Sequence, residues 1–210
     1  MLQFENVQKY YGGFLAMNIH SLSIEKGVWW LQGENGSGKT TILKMIAGIH
    51  PFNGNIVLDN AYTLKKQRQQ FIRRVNYAEV EPLYPPFLTA KDLVELYCYT
   101  KGGNINEAED LLKQLNVFDS YQKALATYSS GMIKKVSLTL AFIGKPKLIL
   151  LDEPLITIDT QAVDIICMLI KLKQEEDISF IITSHQTINS SQLLFTGTLL
   201  AENKTLSKLN

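Results

Sequence analysis

The sequence predicts an α/β fold in which buried strands and helices alternate around a phosphate-binding loop. Three observations predict it. The segment Gly33-Glu34-Asn35-Gly36-Ser37-Gly38-Lys39-Thr40 fits G-x-x-x-x-G-K-S/T and lies between an apolar strand and a helix. Two later runs, Lys147–Leu151 and Ile178–Thr183, are almost wholly apolar, as strands covered on both faces are. Between these signals, from about Thr89 to Gly144, every segment with a clear period is helical.

The elements follow in chain order. Residues 2–7 alternate loosely and predict an edge strand. Gly27–Gln32 predicts a short buried strand that stops at Gly33. Thr40–Ala47 places Ile42, Leu43, Met45 and Ile46 at helical spacing, and Gly48 caps that helix. Asn53-Gly54, between apolar runs, predicts a hairpin turn, with a strand after it at Asn55–Leu58. Thr89 and Asn106 are expected N-caps for helices at Ala90–Thr100 and Glu107–Leu115. A helix from about Asp159 to Gln174 joins the two late strands. The last fifteen or so residues alternate too weakly to be placed.

Composition narrows the function classes. The chain has 210 residues, 21 Lys and Arg against 20 Asp and Glu, and a net charge of +1. That balance argues against a strongly basic nucleic-acid binder; the basic stretch Lys65–Arg74 reads as a solvated helix face. No apolar run approaches the ~18 residues a membrane span requires, and the N-terminus has no signal-peptide pattern. Cys98 and Cys167 fit no metal or redox spacing. A cytoplasmic location is expected, with any membrane role coming through a partner chain.

The chemistry starts at the loop. Glycines let the backbone curl until successive N–H groups face phosphate oxygens, and the following helix adds its positive N-terminal end. Lys39 would place a charge on the β- and γ-phosphates, and Thr40 would offer a hydroxyl to Mg²⁺. Leu148-Ile149-Leu150-Leu151-Asp152-Glu153-Pro154 is a strand ending in two acids. Asp152 would hold the same Mg²⁺, and Glu153 would polarise water for in-line attack on the γ-phosphate.

Tyr128-Ser129-Ser130-Gly131-Met132 opens a helix ahead of the Asp152 strand, and a single histidine, His185, follows the strand ending at Thr183. This order resembles that of ABC ATPases, whose signature motif is usually written LSGGQ. The resemblance covers essentially the whole chain. It implies a phosphate-loop (P-loop NTPase, RecA-like) core with an antiparallel β subdomain, over 1–83 and 144–210, and a helical subdomain over 84–143 carrying the signature. It implies that ATP is held by Tyr11 at the adenine (Tyr10 being the alternative) and by Gly33, Glu34, Asn35, Gly36, Ser37, Gly38, Lys39, Thr40 and Thr41 at the phosphates. Ser129, Gly131 and Asp159 would act at the junction with a facing subunit. The catalytic residues would be Glu153, His185 and Lys39, with Thr40 and Asp152 on Mg²⁺.

The implied protein is the ATP-hydrolysing subunit of a transporter, exporter-like in its Ser-Gly-Met segment. It would work as a homodimer or pseudo-symmetric heterodimer, without nucleic acid, on the inner face of the membrane through a membrane-spanning subunit. A non-transport ATPase of the same family and a weakly hydrolysing switch are the alternatives. Leu83, Tyr84 and Phe87 would contact the membrane subunit or pack in the core. Three departures stand out. Val80 falls where the family places a glutamine, with Glu79 or Glu81 available only after a one-residue shift. Ser130 and Met132 replace Gly and Gln. Leu155-Ile156-Thr157-Ile158 is bulkier than usual before Asp159.

Overall fold

The computed structural model describes residues 1–184 and 193–209. It opens with β1 (Leu2–Tyr11), β2 (Phe14–Ile24), β3 (Val28–Gln32) and α1 (Lys39–Ile46). β4 (Asn53–Leu58), β5 (Tyr62–Thr63), the short α2 (Arg68–Ile72) and β6 (Val75–Ala78) follow. Three helices come next: α3 (Ala90–Lys101), α4 (Ile105–Gln114) and α5 (Ser130–Ala141). The chain continues through β7 (Leu148–Leu151), α6 (Thr160–Glu175), β8 (Ser179–Thr183), β9 (Gly197–Glu202) and β10 (Thr205–Leu209).

The strands form two sheets. One is antiparallel, in the order β2-β1-β4-β5; the other has the order β10-β9-β3-β8-β7-β6. In the second sheet β9, β3, β8, β7 and β6 run parallel, and β10 closes one edge antiparallel. Parallel neighbours share a face, and here each face meets a different apolar cluster. Ile149, Leu151, Phe180 and Ile182 pack with α3, α4, α5 and α6. Leu148, Leu150 and Ile181 pack with α1 and the antiparallel sheet. The period-two side-chain alternation thus divides one buried sheet between two cores.

Local chemistry explains the helix ends. Thr89 caps α3 in a capping box with Asp92: the Asp92 amide donates to Thr89 Oγ1 at 3.1 Å, and the Thr89 amide donates to Asp92 Oδ2 at 2.8 Å. Two bonds close α1, from the Ile49 amide to the Lys44 carbonyl at 2.8 Å and from the Gly48 amide to the Met45 carbonyl at 3.0 Å.

Several expectations are corrected. β1 is an interior strand, bonded to β2 and β4; its loose alternation comes from one face, Leu2, Phe4 and Val7, lying in the core. Asn53-Gly54 does not turn a hairpin. It begins β4, opposite an irregularity in β1 between Glu5 and Gln8. The cap of α4 is Asn104, which accepts from the Asn106 amide at 2.9 Å, rather than Asn106 itself. The unplaced C-terminal segment forms β9, inserted beside β3, and β10.

Replacing Thr89 by Ala removes the cap and should destabilise the chain by about 1 kcal/mol, read as a lower urea midpoint with an unchanged m-value.

Candidate functional site

The loop between β3 and α1 is held by its own lysine. Lys39 Nζ donates to the carbonyls of Gly33 at 2.7 Å and Glu34 at 3.0 Å. Gly38, which caps α1, has φ 100°, and a Cβ there would lie 2.6 Å from Met17 Cε. Only glycine meets both conditions cheaply. Burial pushes the Lys39 pKa down, and the nearby Glu153 and Asp152 oppose that shift. Among the described residues the buried Ser37 hydroxyl has no hydrogen-bond partner. A phosphate oxygen would satisfy it, as it would the inward amides of the curl.

The two acids sit at the neighbouring strand end. Asp152 and Glu153 are 2% and 6% exposed, so their surroundings rather than water set their behaviour. The Thr183 hydroxyl donates to Asp152 Oδ1 at 2.7 Å and accepts from the Glu153 amide at 2.8 Å. Tyr77 donates to Asp152 Oδ2 at 3.3 Å. Burial and the Asp152 charge push the Tyr77 phenol far up, so it stays a donor. Glu153 has φ 46°, a left-handed conformation unfavourable for a glutamate, and the bond to Thr183 anchors it there.

Loop and acids line one cleft of about 350 Å³, bounded by Asn35, Gly36, Gly38, Lys39, Thr40, Thr41, Val80, Asp152, Glu153 and Ile156. Thr40 and Asp152 there supply an oxygen donor set of the type Mg²⁺ accepts. Gly33, Glu34 and Ser37 line an adjoining depression with residues 200–203.

Val80 faces the cleft, and Glu79 does not replace it. The Glu79 carboxylate pairs with Lys44 at 2.9 Å, and both Glu79 and Tyr84 line a separate groove of about 410 Å³. Glu81 is exposed. Leu83 also lines that groove, while Phe87 stands 77% exposed outside its lining.

Ser129 caps α5, its hydroxyl accepting from the Met132 amide at 3.2 Å. Gly131 packs so closely on the next loop that a Cβ would lie 2.7 Å from the Thr157 carbonyl oxygen. Neither residue belongs to the cleft around Lys39. Asp159 caps α6, accepting from the Ala162 amide at 3.0 Å, and pairs with Lys135 of α5. The Lys135 hydrogen bond holds the Asp159 carboxyl below its ordinary pKa. Bulky Leu155 and Ile158 find a place on the apolar cluster beneath α5 and α6.

Tyr11 reaches the helix after the loop: its hydroxyl lies 3.4 Å from Thr41 Oγ1 and 3.0 Å from His50 Nδ1. Lys9 sits 4.5 Å from the Tyr11 ring centre. Nothing in the sequence pattern around His50 signals this contact. His185 lies outside the described residues.

A second omission is larger. Lys134 of α5 is 1% exposed, and its Nζ donates to the carbonyls of Glu79 at 2.7 Å, Val80 at 3.1 Å and Asp152 at 2.9 Å. Burial pushes its pKa down to about 8, against Asp152, Glu153, Glu79 and Glu81. The only signal in the sequence is a lysine pair inside a helix that carries no other charge.

A curled loop at a parallel strand end, a lysine within it and paired acids on a neighbouring strand define a phosphate-loop nucleotide-binding protein. Comparison with known proteins narrows the class. The ABC transporter family profile matches residues 17–156. The Linearmycin resistance ATP-binding protein LnrL of Bacillus subtilis is 30% identical over 190 residues, which is 88% of this chain and 61% of LnrL. The chain thus spans about three fifths of that relative's length. Among solved structures, an ATP-binding subunit of an ABC transporter superposes with a TM-score of 0.88 at 21% identity, covering 100% of this chain and 89% of the other. A dimeric ATP-binding cassette in a post-hydrolysis state with ADP and Pi gives 0.82 at 22%, covering 100% and 99%. At those identities the two structures speak for the fold. The chain belongs to the ABC transporter family, and its fold is that of an ATP-binding cassette.

Thr183→Val leaves Asp152 Oδ1 and the Glu153 amide without their shared partner. It should cost about 2 kcal/mol in urea unfolding, and Thr183→Ser should recover most of that loss.

Proposed function

We propose that this chain binds and hydrolyses ATP as the nucleotide-binding subunit of a transporter, pairing head to tail with a second such subunit. One observation carries the reading. Lys39, Thr40, Asp152 and Glu153 converge on a single cleft, whose lining leaves out Ser129 and Gly131. A helix N-terminus suited to an anion but set apart from its own chain's cleft fits a site completed across two chains.

In this reading the 33–40 loop and Lys39 hold the triphosphate, and Tyr11 stacks on the base. Mg²⁺, held by Thr40 and Asp152, would neutralise phosphate charge when bound. Glu153 accepts a proton from the water that attacks the γ-phosphate. Ser129 and Gly131 meet the γ-phosphate of the other chain, and Asp159 lies at the junction between them. His185 is assigned by motif alone, as the group that steadies the γ-phosphate. Residues 84–143 act as the helical subdomain between the two parts of the core.

Among the described residues no helix is long and apolar enough to cross a membrane. The coupling surface proposed for a membrane subunit is the groove lined by Leu83, Tyr84 and Glu79. That subunit would hold the chain at the inner membrane face. The resistance role in LnrL's name supports export over import. Val80 favours a second reading, a switch with weak turnover, because valine can neither ligate a metal nor orient water.

Glu153→Gln should abolish ATP turnover while leaving ATP binding intact, and should give an ATP-dependent dimer on sizing. Wild-type turnover too slow to separate from Glu153→Gln would select the switch. Lys39→Ala should weaken ATP binding roughly tenfold or more, measured by equilibrium titration with a fluorescent analogue.

A further inference from the structure

An ammonium has three protons, and Lys134 spends all three on backbone carbonyls. The carbonyls come from two different borders of the nucleotide cleft. Glu79 and Val80 follow β6, and Val80 lines the cleft with its side chain. Asp152 follows β7 and supplies one of the cleft's acids. Lys134 itself belongs to the helix that Ser129 caps and that carries Gly131. A single buried cation therefore joins the signature helix to both strand ends at the cleft.

The join is backbone-directed, and that matters at Val80. A side chain there able to bond a nucleotide-bound water or metal would carry a change in the cleft outward; valine cannot. The segment after β6 is fixed instead through its carbonyls, by Lys134. We propose that Lys134 is a positioning residue: a strut that sets the signature helix relative to the chain's own cleft, so that occupancy of one half-site governs the presentation of Ser129 and Gly131 to the other.

This strut rests on the two-chain ATPase reading above. Lys134 is not part of the cleft's lining, so its removal should separate binding from turnover. In Lys134→Met, nearly isosteric but without donors, ATP affinity should stay within about twofold of wild type while kcat falls roughly tenfold or more. Added to Glu153→Gln, the same change should abolish the ATP-dependent dimer. Lys134→Gln, which keeps amide donors, should fall between Lys134→Met and wild type.

Unaltered kcat in Lys134→Met, or equal losses of ATP affinity and kcat, would overturn the strut. Should Lys134→Met fail to fold, Lys134→Gln decides: a reduced kcat at unchanged affinity supports the strut, and a wild-type kcat refutes it. Wild type measured alongside separates the two failures. No wild-type turnover and no dimer in Glu153→Gln would overturn the ATPase reading and the strut with it; normal turnover in both wild type and Lys134→Met would overturn the strut alone.

Discussion

The parallel register of β3, β8 and β7 is the constraint on which the site depends. Leu31 lies opposite Thr183, and Leu151 opposite Ile182. Because the three strands run the same way, the loop after Gln32, the hydroxyl of Thr183 and the acids after Leu151 all leave the sheet at one edge. The Thr183 hydroxyl then ties Asp152 to the Glu153 amide across that edge. A one-residue slip of β8 would turn Thr183 to the other face and undo both bonds at once.

The site's precision comes from polar groups placed in an apolar frame. Lys39 closes the loop on its own carbonyls, Lys134 gathers three more, and Asn76, deep in β6, donates to the carbonyls of Ala141 and Ile143. Each satisfies carbonyl acceptors, and Lys134 and Asn76 also join elements distant in sequence. The helix α5 is thereby fastened to the strand ends by directional bonds as well as by packing.

Much of this was legible in the sequence. The 33–40 loop, the acids after Leu151 and the cap at Ser129 announce themselves because backbone curvature, full burial and an anion site each demand particular residues. β6 escaped because Asn76 interrupts an otherwise buried Val-Asn-Tyr-Ala strand, and its partners at Ala141 and Ile143 are remote. β2 escaped because much of Phe14–Ile24 faces outward and its pattern lacks a clean alternation. Asn53-Gly54 misled because a pairing irregularity in an antiparallel sheet uses the same residues as a tight turn. Lys134 went unread because its worth depends on carbonyls 54, 55 and 18 residues away.

The two cysteines bear on how the molecule can be handled. Cys98, on α3, and Cys167, on α6, are 6% and 3% exposed, and burial pushes both thiols above their ordinary pKa. Thiolate is the form that alkylating reagents attack, and here it is both scarce and shielded. A new cysteine on an exposed face of α3 or α4 would therefore take a maleimide dye or spin label ahead of the native pair. Distances across a dimer could then be followed without stripping either thiol from the core.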